Sequence, residues 1–175
     1  MDFQPWIRDV VGFPKPGIVF KDLTPLLADA DAFRAMVDLL IAPFRAASIE
    51  RICAIEARGF IFGAAASLAL GCGFVPLRKP GKLPGACIGI DYALEYGAAR
   101  IELDPGAIVT GERVLLVDDL IATGGTALAG AELLRQAGAI VDQALFVIDL
   151  TDLRGADALR AAGVAADALI DFSGH

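Results

Sequence analysis

Short apolar segments alternate with segments of helical period along most of this chain, and this alternation restricts the fold more than any other feature. The pattern predicts strands at 51–57, 74–77, 113–118 and 141–150, and helices at 60–70, 126–137 and 153–162. A helix between two strands returns the chain to the same end of the sheet, so such strands pair in parallel and helices cover both faces. The sequence therefore predicts an α/β fold with a mostly parallel central sheet flanked by helices.

The N-terminal part of the chain predicts little regular structure. Prolines and glycines interrupt residues 1–28, so we expect an irregular segment there. A helix is predicted to begin near Asp29 or Asp31, because apolar residues then recur with a period of 3.6, and to end near Pro43.

Two further segments lie outside the alternation. Residues 78–91 are rich in Pro and Gly and predict a loop, and the strands predicted at 92–96 and 99–103 are joined around Gly97. Residues 168–171 predict a last strand. We see no internal repeat and no linker, and we expect one domain over residues 1–175.

The charge balance restricts the class of ligand. The 175 residues carry a formal net charge of −7 and contain no block of Lys or Arg. We therefore expect binding neither to nucleic acid nor to an anionic membrane surface. An anionic small molecule would be attracted locally, by a helix N-terminus, a few arginines or a metal.

Other compositional features exclude several classes of site. The charge-free stretch 59–77 contains several glycines and a proline, so it predicts a buried helix and strand rather than a membrane span. No secretory signal is expected at the N-terminus. The three cysteines form no CxxC pair, which favours a reduced, cytoplasmic location. The only histidine is His175, which argues against histidine-ligated zinc and against a Ser-His-Asp triad.

Residues 114–126, Val-Leu-Leu-Val-Asp-Asp-Leu-Ile-Ala-Thr-Gly-Gly-Thr, carry the most informative pattern. An apolar strand runs into two acids, then a short loop of Thr and Gly, then a helix, which is the edge of a parallel sheet where ligands bind. Free N–H groups at the helix start, with the hydroxyls of Thr123 and Thr126, suit a phosphate monoester. Asp118 and Asp119 would repel phosphate and suit ribose hydroxyls, or a metal held by the substrate.

Neither of two common phosphate-binding motifs is present. The Walker A pattern GxxxxGK[ST] is absent, and no GxGxxG follows a predicted strand. The block therefore predicts a phosphate site beside a diol site. The alternative is that the two acids only end a strand and the glycines only turn the chain.

The block 114–126 resembles the phosphoribosyl-pyrophosphate signature of the type I phosphoribosyltransferases. Further segments resemble the adenine phosphoribosyltransferase branch of that family and follow its order, at 13–22, 56–60, 78–84 and 94–97. The resemblance implies that family's fold with a mobile hood, in which residues 1–28 and the hood at 78–103 cover the substrates.

The resemblance also implies roles for the residues around the sugar. The acids Asp118 and Asp119 would hold the ribose hydroxyls, and Arg58, in the turn 56–59, would face the pyrophosphate with its planar guanidinium. Mg²⁺ would be carried by the substrate, with no direct protein ligand and with the two acids reaching it through water. The 5′-phosphate would be held by Ala122, Thr123, Gly124, Gly125 and Thr126.

For the hood, the resemblance implies that Arg78 and Lys79 meet the pyrophosphate, in this family often from the partner subunit of a homodimer, with Lys82 as a further candidate. Glu95 would exchange a proton with the purine, and Tyr96 would help to close the site. The alternatives are surface charge for the two lysines, an exposed strand acid for Glu95 and hairpin packing for Tyr96. Residues 85–90 lack the polar and acidic side chains expected in this family's hood.

The base would lie against Val19 through its backbone, Phe20 by stacking and Leu120 on the opposite face. A backbone C=O can accept from the amino group of adenine while an N–H donates to its ring nitrogen, and a 6-oxo purine would leave both unpaired. Lys21 is also implied to bind substrate, although the family commonly has Arg at this position.

The implied reaction converts adenine and 5-phosphoribosyl-1-pyrophosphate into AMP and pyrophosphate, a step of purine salvage. Its catalytic residues would be Glu95, Arg58, Asp118 and Asp119. Two alternatives stay open. The same chemistry could act on hypoxanthine, guanine, xanthine or orotate, or the fold could belong to a regulator that senses such ligands without turnover.

Overall fold

The computed structural model of the chain describes residues 2–93 and 97–173. The strands are β1 (Arg8–Val11), β2 (Val19–Asp22), β3 (Arg51–Ile55), β4 (Gly73–Leu77), β5 (Ile88–Ala93), β6 (Ala98–Leu103), β7 (Arg113–Ile121), β8 (Ile140–Leu150) and β9 (Ala165–Phe172). The helices are α1 (Thr24–Ala28), α2 (Ala30–Ile41), α3 (Gly59–Leu70), α4 (Gly125–Gln136) and α5 (Gly155–Ala161).

Five strands form a central parallel sheet in the order β4-β3-β7-β8-β9. Strand β7 lies in the middle, and its residues Val114 to Val117 are fully buried. Such strands need apolar side chains on both faces, because helices cover the sheet on each side. The predicted α/β fold with a parallel central sheet is confirmed.

Each face of the sheet has its own apolar core. On one face, α2 and α3 pack through residues such as Met36, Leu40 and Phe62. On the other face, α4 and α5 pack through residues such as Leu133 and Leu159, together with the β5–β6 hairpin. Packing of these two layers holds the sheet in place, and so positions the loops that follow the carboxyl ends of β3 and β7.

Local signals in the sequence account for several helix ends. The Asp29 side chain accepts hydrogen bonds from the N–H groups of Asp31 and Ala32, at 3.1 and 2.9 Å, and so caps α2. The helix ends at Ile41, and a 3-10 turn containing Pro43 follows. Gly71 ends α3 in the left-handed region with φ 71°.

The structure corrects the prediction that residues 1–28 are irregular. Strands β1 and β2 pair antiparallel, with Val10 opposite Phe20, and the short helix α1 follows. Each strand has only four residues, and β1 is largely exposed, so the apolar alternation that marks a strand is missing.

Two other predicted boundaries move. The segment predicted as a loop at 78–91 includes the start of β5, where Ile88 pairs with Leu103 across the hairpin. Strand β7 continues beyond 118 to Ile121, because Leu120 and Ile121 pair with Ile148 and Asp149 of β8. The two acids therefore lie inside the end of a strand.

Within the described residues, no helix is both long and apolar enough to cross a membrane.

Candidate functional site

The order of the strands creates a crevice between β3 and β7. After β3 the chain continues to β4 on one side, and it later returns as β7 on the other side. Ligands of open α/β sheets bind outside the carboxyl ends of the strands at such a reversal. A cavity of about 520 Å³ lies at this place.

Most of the residues predicted for the sugar and its phosphates line this cavity. They are Arg58, Lys79, Asp118, Asp119, Leu120, Ala122, Thr123, Gly124, Gly125 and Thr126. They come from three separate parts of the chain: the turn between β3 and α3, the segment after β4, and the end of β7 with the loop that follows it. The parallel sheet brings these parts together around one cavity.

The loop at 122–126 presents the start of α4 to the cavity. Gly124 has φ 84°, a conformation that favours glycine, and it turns the chain from β7 into the helix. No side chain of the described chain caps this helix start. The first N–H groups of α4, the hydroxyl of Thr126 beside them and the positive end of the helix dipole therefore face the cavity, an arrangement that suits a phosphate.

Asp118 and Asp119 have different surroundings although they are neighbours. Asp119 is 4% exposed and pairs with the guanidinium of Arg58. The Asp118 carboxylate accepts a hydrogen bond from the Asp119 N–H at 2.8 Å. Burial, and then the charge of Asp119, raises the pKa of Asp118 well above its usual value.

Arg58 is positioned by the packing of the residue that follows it. A Cβ added to Gly59 would lie 2.7 Å from the Asp118 Oδ1, so only glycine lets α3 begin this close to the end of β7. The Arg58 guanidinium carbon also lies 5.2 Å from the centre of the Phe20 ring. Arg58 therefore joins the carboxylate side of the cavity to the aromatic residue predicted to stack on the base.

Glu56 connects the turn after β3 to the start of the hood. Its carboxylate accepts hydrogen bonds from the Arg78 Nε at 3.1 Å and from the Lys79 N–H at 2.8 Å. The hydrogen bond from Arg78 is the main cause of the lowered pKa of Glu56. Arg78 thus binds Glu56, whereas Lys79 lines the cavity and Lys82 does not.

The residues predicted for the base lie at the edge of the cavity or behind it. Leu120 lines the cavity, and the Phe20 ring packs edge-on against Phe13 at 5.2 Å, beside Arg58. The Lys21 side chain points elsewhere. It is 8% exposed, its Nζ lies 2.8 Å from an Asp9 carboxylate oxygen, and it lies over the Phe172 ring. Val19 pairs with Val11 in the hairpin.

Glu95 and Tyr96, predicted to act on the purine and to close the site, lie outside the described residues. The sequence reasoning missed several cavity residues, among them Tyr92 and Ala99, which face each other across the β5–β6 hairpin. Their positions three and four residues from the predicted acid at 95 were the available signal, because both strands of a hairpin can face the same ligand.

Comparison with known proteins identifies the family. The model of the phosphoribosyl transferase domain matches residues 47–158. An adenine phosphoribosyltransferase of Novosphingobium aromaticivorans is 58% identical over 174 residues, which are 99% of this chain and 98% of that protein. The chain belongs to the adenine phosphoribosyltransferase family.

Solved structures of this family have the same fold. The adenine phosphoribosyltransferase of Thermoanaerobacter pseudethanolicus superposes with a TM-score of 0.92 at 45% identity, covering 97% of this chain and 98% of that one. The enzyme of Saccharomyces cerevisiae, in complex with an imino-altritol bisphosphate and adenine, gives a TM-score of 0.88 at 37% identity, covering 95% and 96%. Membership of the adenine phosphoribosyltransferase family makes this chain a pentosyltransferase.

Proposed function

We propose that this chain transfers the phosphoribosyl group of 5-phosphoribosyl-1-pyrophosphate to adenine, giving AMP and pyrophosphate for purine salvage. The proposal depends above all on one juxtaposition, an uncapped helix start beside two carboxylates at one cavity. The relatives described above are adenine phosphoribosyltransferases, and adenine is bound in the yeast structure.

The sugar is held from two sides in this proposal. The N–H groups at the start of α4 and the Thr123 and Thr126 hydroxyls bind the 5′-phosphate. Asp119 and Asp118 accept hydrogen bonds from the ribose hydroxyls, which are donors and so suit carboxylates. Because both sets of contacts line the same cavity, they fix the anomeric carbon there for attack.

Charge separation at the anomeric carbon is the main barrier to the reaction. Positive charge develops on the ribose as the C–O bond to pyrophosphate breaks, and negative charge develops on the leaving group. Arg58 and Lys79 lie at the cavity and stabilise that leaving group. The buried Asp119 carboxylate lines the same cavity, and its negative charge stabilises the positive charge on the ribose.

The adenine base stacks on Phe20 opposite Leu120 and pairs with backbone groups of β2. The N9–C1′ bond forms as pyrophosphate leaves, and Glu95 exchanges the proton carried by the purine ring. The hood at 78–103 and Tyr96 exclude water, which would otherwise attack the activated sugar.

Magnesium fits the donors present at this cavity. Hydrated Mg²⁺ is usually held by one or two carboxylates together with substrate phosphates, and Asp118 and Asp119 offer such oxygens through water. The part of the chain that the structure describes has no group of three or more His, Cys, Asp or Glu side chains placed to hold a metal by themselves. When bound to the substrate, Mg²⁺ supplies positive charge that stabilises the leaving pyrophosphate.

We also propose a cytoplasmic homodimer in which each chain, 1–175, forms one domain. Helix α3 contains Ser67 as its only polar side chain, yet Ile61 and Leu68 on its outer face are 41% and 84% exposed. A second copy would cover this face.

Cys53, Cys72 and Cys87 are free thiols, which suits a reducing compartment.

A panel of bases tests the reaction. The chain is mixed with Mg²⁺, 5-phosphoribosyl-1-pyrophosphate and adenine, hypoxanthine, guanine, xanthine or orotate, and pyrophosphate release is measured. We expect adenine to give the highest kcat/KM by at least 10²-fold, because a 6-oxo purine leaves backbone groups unpaired. If adenine is the poorest substrate, the base assignment is wrong, and if no base reacts, the regulator alternative gains support.

A further inference from the structure

The first residue of α5 packs directly against the loop at 122–126. A Cβ added to Gly155 would lie 2.3 Å from the Ala122 carbonyl oxygen and 2.7 Å from the Gly124 nitrogen. A Cβ added to Gly124 would in turn lie 2.9 Å from the Gly155 carbonyl oxygen. The two nearest atoms to a Cβ added at Gly155 thus belong to the backbone, and the third is the Ile121 Cγ1 at 2.8 Å, so relief of the contact requires a shift of the loop backbone.

We propose that Gly155 is a positioning residue for the 5′-phosphate. This inference rests on the proposed function, which takes 122–126 as the phosphate loop. Gly155 is buried against the loop, and it is not one of the described residues that line the cavity. Its close approach sets the position of the Gly124 nitrogen, just before the N–H groups of α4 that bind the phosphate.

The turn that precedes Gly155 brings it close to the loop at 122–126. Arg154 has φ 57°, which is uncommon for a residue other than glycine. The Arg154 N–H donates to the Thr151 carbonyl at 3.1 Å, and its Nε binds the Asp157 carboxylate at 3.2 Å. This turn brings the chain from the end of β8 back under the loop.

The test is Gly155→Ala. Its backbone lies outside the left-handed region, and alanine favours helix over glycine, so the added methyl group acts through its contacts alone. We expect KM for 5-phosphoribosyl-1-pyrophosphate to rise on the order of 10- to 100-fold, as for a misplacement of about 1 Å at a binding group. The KM for adenine, measured at saturating sugar, should stay within about twofold of the wild-type value.

The product AMP and its dephosphorylated analogue adenosine together separate positioning from a merely structural role. AMP carries the 5′-phosphate and adenosine lacks it, so Gly155→Ala should weaken AMP binding while leaving adenosine binding unchanged. The matched control is Gly106→Ala, at a glycine outside the cavity lining where an added Cβ meets only the Asp104 side chain at 3.2 Å. It should behave as wild type.

Three results are decisive. If Gly155→Ala weakens the binding of AMP and of adenosine equally, or leaves KM for 5-phosphoribosyl-1-pyrophosphate unchanged, Gly155 does not position the phosphate. Turnover by the wild-type chain would then still support the proposed function. A wild-type chain without turnover counts against the proposed function itself.

If Gly155→Ala does not fold, Arg154→Val shifts the start of α5 without adding atoms to the contact, because a β-branched residue resists φ 57°. Arg154→Val should also weaken the binding of AMP and not that of adenosine. Equal weakening of both would again contradict the positioning role of Gly155.

Discussion

Asp118 and Asp119 share one strand end, but each carboxylate is stabilised differently. Asp119 has the Arg58 guanidinium beside it, which compensates for its burial. The Asp118 carboxylate has one backbone hydrogen bond and a second negative charge next to it. The charged form of Asp118 therefore lowers the free energy of unfolding. A carboxylate that destabilises the fold in this way is typical of a ligand-binding site.

Replacing Asp118 should stabilise the fold and reduce turnover. In the folded chain the pKa of Asp118 is raised, so wild-type stability falls as pH rises from the unfolded value through the folded one. Asp118→Asn removes the charge and keeps an oxygen for the Asp119 N–H. We expect a gain of roughly 0.5–2 kcal/mol in the free energy of unfolding at neutral pH.

Urea unfolding at several pH values checks this prediction. The gain should shrink as pH falls below the folded pKa of Asp118, because the wild-type carboxyl is then protonated as well. Asp167→Asn, the same change at an exposed position, should give no comparable gain. A less stable Asp118→Asn variant at neutral pH, or one with full turnover, would contradict the assignment.

At the scale of elements, the N-terminal hairpin is joined to the last strand of the sheet. Lys21 of β2 lies with its Nζ 2.8 Å from Asp9 of β1 and 4.2 Å from the centre of the Phe172 ring of β9. Phe20, next to it, points the other way, towards Arg58. The buried lysine thus fixes the strand whose neighbouring residue is proposed to stack on the base.

Lys21→Met should weaken adenine binding more than binding of the sugar. Methionine keeps most of the apolar stem but loses the contacts to Asp9 and Phe172, at a cost of about 1 kcal/mol or a fivefold change in affinity. We expect KM for adenine to rise by about that factor, with KM for 5-phosphoribosyl-1-pyrophosphate nearly unchanged. Lys21→Arg, which retains the cation, should recover most of the loss. Equal changes in both KM values would argue against this role for the hairpin.

The sequence predicts the central elements well and the peripheral ones poorly, for a physical reason. Buried parallel strands such as β7 require continuous apolar runs, and the loop after β7 requires glycine, so both leave a signal in the sequence. The β1–β2 hairpin and the start of β5 depend on pairing with residues elsewhere in the chain, which no local pattern records. Likewise, the ion pair between Arg58 and Asp119 joins residues 61 positions apart.

At the scale of the whole molecule, one helix face is left to be covered. The outer face of α3 presents Ile61 and Leu68, spaced by two helical turns, and the same helix begins beside Arg58. Dimerisation through this face would place a second chain close to the cavity. It would also explain why a helix with a single polar side chain lies at the surface.

Leu68→Glu tests the proposed dimer. A charge on the outer face of α3 should dissociate the homodimer, because a buried unpaired carboxylate costs far more than an exposed one. Sedimentation velocity should then show a species of about half the mass. Val109→Glu, at a position 61% exposed outside α3, should leave the assembly unchanged. If both variants sediment as wild type, the interface lies elsewhere or does not exist.

The place of β7 in the middle of the sheet has a consequence for how ligand binding and unfolding are connected. Two strands flank β7 on each side, so we expect β7 to separate from the sheet only when the whole chain unfolds. A molecule that binds there therefore binds the folded chain and not the unfolded one. Saturating AMP should therefore raise the melting temperature of the whole cooperative unit, and slow amide hydrogen exchange even in strands that it never touches.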